Sequence, residues 1–469
     1  MVRMIAPILA LAYAAWHLLT LTQTPLPWYD EVFFAGIAQN VAKGNGFYTL
    51  PTLQHAAYPA LFYGPLYFWL QAAVIKAIGL QLFSFRLLPL AAGLGCLALM
   101  CYYTRGYSGW RRWLPLGLLA LAPLFISSMH NGRMETLAAF FLLLAFSPVL
   151  LQQALTPGRA VWAGCFMALA LLTTPRAAVL MPGFGVYYLL QGPLNRHTLG
   201  WLAGVALVPL AVWGSWSFFE TGHPLGALRT VQSHSVQATS FIGPTLLRAW
   251  PNDVLLWLFI LPGGVLGWQQ RNPLLLALLT SCLCYTLLVV ENAPYLTLAL
   301  PFAALGTGLV AQLAPARAGR WLRPAAAGVL VLFAGTFIAK NVLLAATWPM
   351  RNARALRPWL AAHLPKGAHV LAEPTYFFEL QRAGYNTTLF LPTALAPHQI
   401  PGYLQKKTMD AVLTDRSQQP LLPWLSQAGY THTHTLALPL QAAIPRLLGL
   451  PRQPQALPGY YHALLLQKQ

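Results

Sequence analysis

The sequence predicts a mainly α fold: a polytopic membrane helix bundle of about eleven spans, with a small C-terminal α/β domain outside the membrane. Three observations carry this expectation. The 469 residues are 57% hydrophobic and only 8% charged, with a mean hydropathy of +0.54, whereas soluble domains carry about 25% charged residues. Apolar runs of ~20 residues, enough for a helix to cross ~30 Å of hydrocarbon, recur through the first three quarters of the chain. After Ala345 the pattern changes to short apolar strands, helical stretches and many prolines, the signature of a small α/β domain.

The first apolar run, Met4 to Thr22, follows Arg3 and continues into Thr24-Pro25-Leu26-Pro27 without a small-residue cleavage site. It reads as an uncleaved first span, not a signal peptide. The full set of spans is roughly 4–22, 86–104, 113–130, 134–151, 160–174, 177–191, 199–219, 252–269, 274–290, 295–314 and 324–345 by the length rule. With the N-terminus inside, the inside loops hold Arg3; Arg105, Arg111 and Arg112; Arg159; Arg196; Arg271; and Arg317, Arg320 and Arg323. Every inside loop is then basic, as the positive-inside rule expects. All ten acidic residues fall outside or at the outer edge. A net charge of +19 would suggest nucleic acid in a soluble protein; here topology accounts for much of it, and no nucleic-acid partner is expected. Treating 62–80 as a further span would invert the later loops, so this segment reads as a helix lying at the outer surface. The five cysteines all lie in hydrophobic spans, where packed or lipid-facing thiols are the usual outcome.

The expected domains are a catalytic transmembrane region, 1–347, with outer loops 23–85 and 220–250, and a C-terminal region, 348–469. Loop 23–85 holds a helical stretch from Val32 to Lys43, the turn Gly44-Asn45-Gly46 and the aromatic run Tyr63-Gly64-Pro65-Leu66-Tyr67-Phe68-Trp69-Leu70. Two tight outer turns follow, at 129–135 and 173–176, and then the polar, glycine-bearing loop 220–250, which reads as mobile. In the tail, strands are expected at 369–373 and 410–415. A helix from Thr375 to Ala383 should be capped by Thr375 and stopped by Gly384, and a second should run from Leu421 to Ala428.

Chemistry concentrates in Trp28-Tyr29-Asp30-Glu31, just after the first span. Carboxylates are scarce here, and an ionised one at a bilayer edge is costly without a partner or a role. Such a group takes a proton from a hydroxyl, holds a cation or binds a sugar. The outer side also carries Arg86, Arg133, Glu135 and Arg176.

At this point the chain resembles the polytopic glycosyltransferases of the C-type fold, in the group of protein mannosyltransferases and aminoarabinose transferases (glycosyltransferase family 39-like). The matching features are Trp28-Tyr29-Asp30-Glu31, Gly64-Pro65-Leu66-Tyr67-Phe68-Trp69, Arg133-x-Glu135 and Thr173-Thr174-Pro175-Arg176, in that order and spacing. The resemblance implies transfer of a sugar from a polyprenyl-phosphate carrier to a lipid, glycan or protein acceptor on the outer face of the plasma membrane. The active site and the C-terminal domain would then be periplasmic or otherwise extracytoplasmic. It implies Asp30 as the catalytic carboxylate and Glu135 at the second acidic position; Glu31, next to Asp30 in the chain, is a further catalytic candidate, for orientation or acceptor contact. Many members have His or Lys where Tyr63-Gly64 stands, and several have Lys after the Thr of the third outer loop, where Pro175 and Arg176 follow.

Arg176 is therefore the first choice for the donor phosphate, with Arg86 and Arg133 as further candidates, because a guanidinium binds phosphate bidentately and stays charged. Tyr29, Tyr63, Lys43, His55 and His223 are candidate substrate contacts. No cofactor is expected, and no metal, since Asp-x-Asp is absent. Plainer readings stand beside these. Asp30 and Glu31 are good helix caps, Arg133 and Glu135 suit a solvated pair flanking a span, and Arg176 and Arg86 suit snorkelling. His432 and His434 share one face of a possible strand. Asn386-Thr387-Thr388 fits a glycosylation sequon, which matters only in a eukaryotic secretory setting. A lipid-linked substrate transporter or flippase is the competing class, but no internal repeat is visible and the acids gather outside. An outer-face glycan ligase is the other alternative, and the acidic pair argues against it.

The topology has a direct check. Cysteines introduced at Lys406 and Arg111 should differ in intact cells, with only the former labelled by a membrane-impermeant thiol reagent. Labelling at Arg111→Cys would overturn it.

Overall fold

The computed structural model describes residues 2–53, 57, 59–60, 63–192, 195–221, 253–288, 293–351, 355–390, 397–405, 409–415, 421–437 and 462–468. Loop 220–250 lies largely outside the described residues, and His55 and His223 lie wholly outside them. The chain divides into two compact units. Residues 1–60, 68–87 and 339–469 form the first, and residues 61–67 and 88–338 form the second.

The second unit is helical. Its helices include Trp110–Leu121, Pro123–Met129, Glu135–Ala145, Pro157–Thr173, Pro182–Gln191, Arg196–Thr221, Asp253–Gln270, Pro273–Leu288 and Leu300–Leu313. The predicted span 113–130 is bent by 60° between Trp110–Leu121 and Pro123–Met129. The cause is local. Ala122 precedes Pro123 and takes an extended conformation, φ −60° and ψ 117°, because the proline ring disfavours the α region for the residue before it. Small residues let other helices approach closely. At Gly183 a methyl group would run into Ser281 and the carbonyl of Ala277.

Among the described residues, three helices are long and apolar enough to cross a membrane: Leu82–Gly106, Arg196–Phe218 and Arg320–Ala345. The bent pair makes a fourth if counted as one span, and seven further apolar helices are shorter, from 10 to 17 residues. Of the expected spans, 177–191 falls on none of these helices; it is divided between the 3₁₀ turn Pro175–Leu180 and the ten-residue helix Pro182–Gln191. The helix Arg196–Phe218 has only 11% of its most apolar window buried and exposes Leu207, Val208 and Val212. In water that stripe would be unfavourable by ~25 cal/mol per Å² of apolar area; in hydrocarbon it is matched.

The first unit contains a five-stranded sheet of order β2-β1-β3-β5-β4. The strands are β1 (His369–Ala372), β2 (Asn386–Leu389), β3 (Ala411–Asp415), β4 (Tyr430–Ala437) and β5 (His462–Lys468). β1 runs parallel to β2 and β3, whereas β5 runs antiparallel to β3 and β4. Period-two alternation fills both faces. Val370, Ala372, Leu413 and Leu465 pack under the helix Leu356–His363. Leu371, Val412, Leu464 and Leu466 pack against Ile400, Leu404 and Leu425 on the other face.

The two expected tail strands are present as β1 and β3. β2 and β5 were not legible: β2 is an edge strand of Asn and Thr that reads as a sequon, and β5 follows a long proline-bearing stretch. Three local expectations are corrected. The first-loop helix spans Tyr29–Ala42, so it begins three residues before Val32. Thr375 does not cap a helix; it lies in a 3₁₀ turn, Pro374–Tyr376, and its hydroxyl donates to Pro27 O at 3.5 Å. The third concerns the strand that holds His432 and His434: its pairing register with β5 shifts between these two residues, at a β-bulge, so the regular alternation expected along it is interrupted.

Residues 23–60, which follow the first apolar helix, belong to the same unit as the sheet. Thr52 bridges Leu389 at the end of β2, and Leu53 N–H donates to Leu389 O at 3.1 Å. Gln39 Nε2 donates to Gln381 Oε1 at 2.9 Å, and Leu26 packs on the Tyr376 side of the core.

Glu373 follows β1 and accepts hydrogen bonds at Oε1 from the Thr414 hydroxyl and from Asp415 N–H. Burial, with the nearby Asp415 carboxylate, pushes its pKa from 4.5 up to about 7 against the lowering effect of these two bonds. A carboxyl that holds its proton more tightly when folded stabilises the fold below pH 4.5, and this contribution is lost as pH rises to about 7. Thermal unfolding of the purified chain should therefore show a component of Tm that falls between pH 4.5 and pH 7. Glu373→Gln should remove that component, and an unchanged pH slope in the variant would contradict the assignment.

Candidate active site

Two clusters hold the candidate residues. The first opens on the helix Tyr29–Ala42. Its N-cap is Trp28, in extended conformation at φ −127° and ψ 173°, with no side-chain cap bond. Asp30 and Glu31 therefore sit within the first helical turn, where the helix dipole favours negative charge, and neither occupies the cap position.

Glu31 and Arg86 are both fully buried. Arg86 Nε donates to Glu31 Oε1 and Nη2 donates to Oε2, both at 2.6 Å. The other terminal nitrogen, Nη1, donates to Leu21 O and Pro25 O, each at 2.8 Å. The planar guanidinium fork matches the carboxylate bidentately, and four of its five N–H donors are accounted for. Arg86 thus ties the chain after the first apolar helix to the turn that carries Asp30. Asp30 itself is half-buried beside this pair. The Tyr29 ring lies 5.7 Å from that of Phe33. Lys43 is exposed at the C-cap of the same helix, which sets it ~20 Å from Asp30 at 1.5 Å rise per residue. The two are not brought together.

The second cluster lies in the helical unit. Glu135 opens the helix Glu135–Ala145. Arg133 Nε and Nη2 donate to its two oxygens at 3.0 and 2.7 Å, with both residues 2% exposed. The plainer reading of a solvated pair does not hold, since the pair is buried. Arg176, half-exposed in the 3₁₀ turn Pro175–Leu180, places its guanidinium 3.8 Å from the centre of the Tyr295 ring. Arg133 lies 5.3 Å from the same centre, so one aromatic face system serves two cations. Tyr285 OH donates to Tyr295 O at 2.6 Å and holds this residue in place. The three charges of Arg133, Glu135 and Arg176 leave a net +1.

Gly64 explains part of this assembly. A Cβ there would meet the carbonyl of Leu172 and the backbone of Thr173, so only glycine lets the Tyr63-Gly64-Pro65 segment reach the Thr173–Arg176 turn. Tyr63 is half-buried at that junction. Tyr295 and Tyr285 were not legible as site residues in the sequence, although Pro294-Tyr295 between two apolar runs was an available signal. Among the described residues no group of three or more His, Cys, Asp or Glu is placed to hold a metal ion.

No protein-family model and no curated protein matches the chain. Solved structures do. ArnT from Cupriavidus metallidurans in the apo state is similar over 99% of this chain and 98% of that chain, at 13% identity and a TM-score of 0.61. The same protein bound to undecaprenyl phosphate is similar over 98% and 97%, at 13% identity and a TM-score of 0.65. The Archaeoglobus fulgidus oligosaccharyltransferase tethered with an acceptor peptide covers 95% of this chain and 74% of that chain, at 12% identity and a TM-score of 0.51. These likenesses show the fold: the chain has the C-type glycosyltransferase fold.

Breaking a buried ion pair on one side leaves the other charge unmatched and costs about 3–5 kcal/mol. Arg86→Leu should destabilise the protein by that order, whereas Glu31→Gln, which keeps one acceptor for the guanidinium, should be milder. Denaturant unfolding in detergent checks both, and an Arg86→Leu protein as stable as wild type would show that the pair holds nothing together.

Proposed function

We propose that this protein is an integral membrane glycosyltransferase that moves a sugar from a polyprenyl-phosphate carrier to an acceptor on the outer face of the plasma membrane. The observation that carries the reading is the half-buried Asp30, fixed in the first helical turn by the buried Glu31–Arg86 pair, in a chain of the C-type glycosyltransferase fold. The ArnT neighbour with undecaprenyl phosphate bound supports the class of donor.

In the proposed reaction the acceptor hydroxyl attacks the anomeric carbon in a single inverting displacement. Asp30 takes the hydroxyl proton. The bond from the anomeric carbon to the phosphate oxygen breaks, and its electron pair leaves with the carrier phosphate. Glu31 and Arg86 act through position, since their hydrogen-bonding groups are engaged with each other and with backbone carbonyls. Arg176 is the proposed phosphate ligand. It makes no ion pair among the described residues, whereas Arg133 and Arg86 are both bound to carboxylates. A fixed cation aimed at a leaving oxyanion stabilises charge that develops in the transition state. Glu135 keeps Arg133 in place beside Tyr295. Tyr29 and Tyr63 are proposed substrate contacts.

A transfer assay on the purified protein, with carrier-linked sugars from a membrane lipid extract as donors, tests the mechanism. Asp30 is not the N-cap of its helix, so Asp30→Asn keeps the side-chain shape, costs only the ~0.3–1 kcal/mol of a charge at a helix N-terminus, and removes the proton acceptor. Transfer should fall by about 10²-fold or more while donor affinity holds. In the same assay Arg176→Ala should instead weaken donor binding by roughly tenfold, the scale of one charge-assisted hydrogen bond. A folded Asp30→Asn protein with near wild-type transfer would refute Asp30 as base, and unchanged donor affinity in Arg176→Ala would refute the phosphate role.

A further inference from the structure

A cavity of about 430 Å³ lies in the helical unit between the start of the helix Trp110–Leu121, the end of Leu300–Leu313 and the beginning of Ala316–Thr347. Its size falls in the ~300–1,000 Å³ range of small-ligand sites. Three arginines line it, Arg111, Arg320 and Arg323, together with Trp110, Ala311 and Ala314 and without an acidic residue. The sequence holds no Asp or Glu from 86 to 134 or from 292 to 372, so no carboxylate near these segments in the chain neutralises them. Close packing builds the walls. At Gly308 a side chain would collide with Pro115, and Ala314 turns the chain out of its helix in an extended conformation, φ −62° and ψ 130°.

The setting is that of a membrane interface. Arg320 begins one of the helices long and apolar enough to cross a bilayer. Around it stand Trp110 at 38%, Trp321 at 80% and Trp268 at 86% exposure. Exposed tryptophans at the ends of apolar helices sit at headgroup level. Gln270 Nε2 donates to Leu313 O at 3.2 Å, which brings the end of the Trp268 helix to this same edge. Guanidinium forks match phosphate oxygens bidentately, and basic pockets between membrane helices suit anionic headgroups.

We propose that this pocket binds the phosphate of an anionic phospholipid headgroup through Arg111, Arg320 and Arg323. The site contains none of the residues assigned to sugar transfer, so its test does not depend on activity. Each basic side chain near an anionic lipid surface contributes about fivefold in affinity. Full-length protein should be equilibrated with mixed micelles of phosphatidylglycerol and phosphatidylcholine, and bound lipid counted by native mass spectrometry. Wild type should retain phosphatidylglycerol over phosphatidylcholine by tenfold or more. The triple variant Arg111→Gln, Arg320→Gln, Arg323→Gln should lose most of that preference. Equal retention of the two lipids, or a triple variant that behaves as wild type, overturns the proposal. Displacement of the lipid by millimolar inorganic phosphate, with phosphate retained in its place, would identify a free anion as the ligand and likewise overturn it. Should the triple variant not fold, the single variant Arg323→Cys decides. Its thiol labelling should be slower in phosphatidylglycerol nanodiscs than in phosphatidylcholine nanodiscs, and equal rates would overturn the assignment.

Discussion

The arrangement around Asp30 depends on one buried ion pair. Glu31 and Arg86 have no solvent to share their charge, and each satisfies the other through two hydrogen bonds of 2.6 Å. A pair of this kind adds little net stability over an apolar replacement, because desolvation offsets most of the Coulomb gain. Its value is geometric. The same guanidinium also holds Leu21 O and Pro25 O, so the end of the first apolar helix, the following turn and the start of the Asp30 helix are set by one side chain. The acidic doublet therefore divides its labour. One carboxylate is buried and paired, and its neighbour is left half-buried.

The segment after the first apolar helix is further constrained by the C-terminal sheet. Leu53 enters the core built on β3 and β5, while Leu26 enters the opposite core. Apolar anchors on both faces of one sheet, with hydrogen bonds from Gln39 and Thr375, make the loop part of a folded layer. The tail is thus a structural partner of the helix that carries Asp30. In the helical unit the comparable device is Tyr295, which presents its ring to Arg133 and Arg176. One of these cations is neutralised by Glu135 and the other is left without an ion pair among the described residues. In both clusters a buried salt bridge fixes geometry beside a less-buried charge.

Much of this was legible in the chain itself. Composition and apolar run length fixed the class, because the hydrocarbon thickness sets the length of a spanning helix. Scarcity singled out Asp30, Glu31 and Glu135, since few acids stand in so apolar a chain. Short apolar runs located β1 and β3, and glycines at Gly384 and Gly429 marked helix ends, both with positive φ. These are local signals, and local signals report local structure. The limits were equally physical. β2 is polar and at an edge, so periodicity was silent, and the helix start at Tyr29 lacked any capping side chain to announce it.

Tertiary structure alone decided the partners. Glu31 finds Arg86 across 55 residues, and nothing in either neighbourhood distinguishes a buried brace from a phosphate ligand. Arg133 and Glu135 are two residues apart, yet whether they are solvated or buried depends on the helices packed around them. Tyr295 gains its role only when the turn after one helix meets Arg176 in the turn after another. Sequence periodicity specifies which faces must be covered. Which residues meet is settled by packing, because shape and the cost of unpaired buried charge select among many arrangements that share the same local pattern.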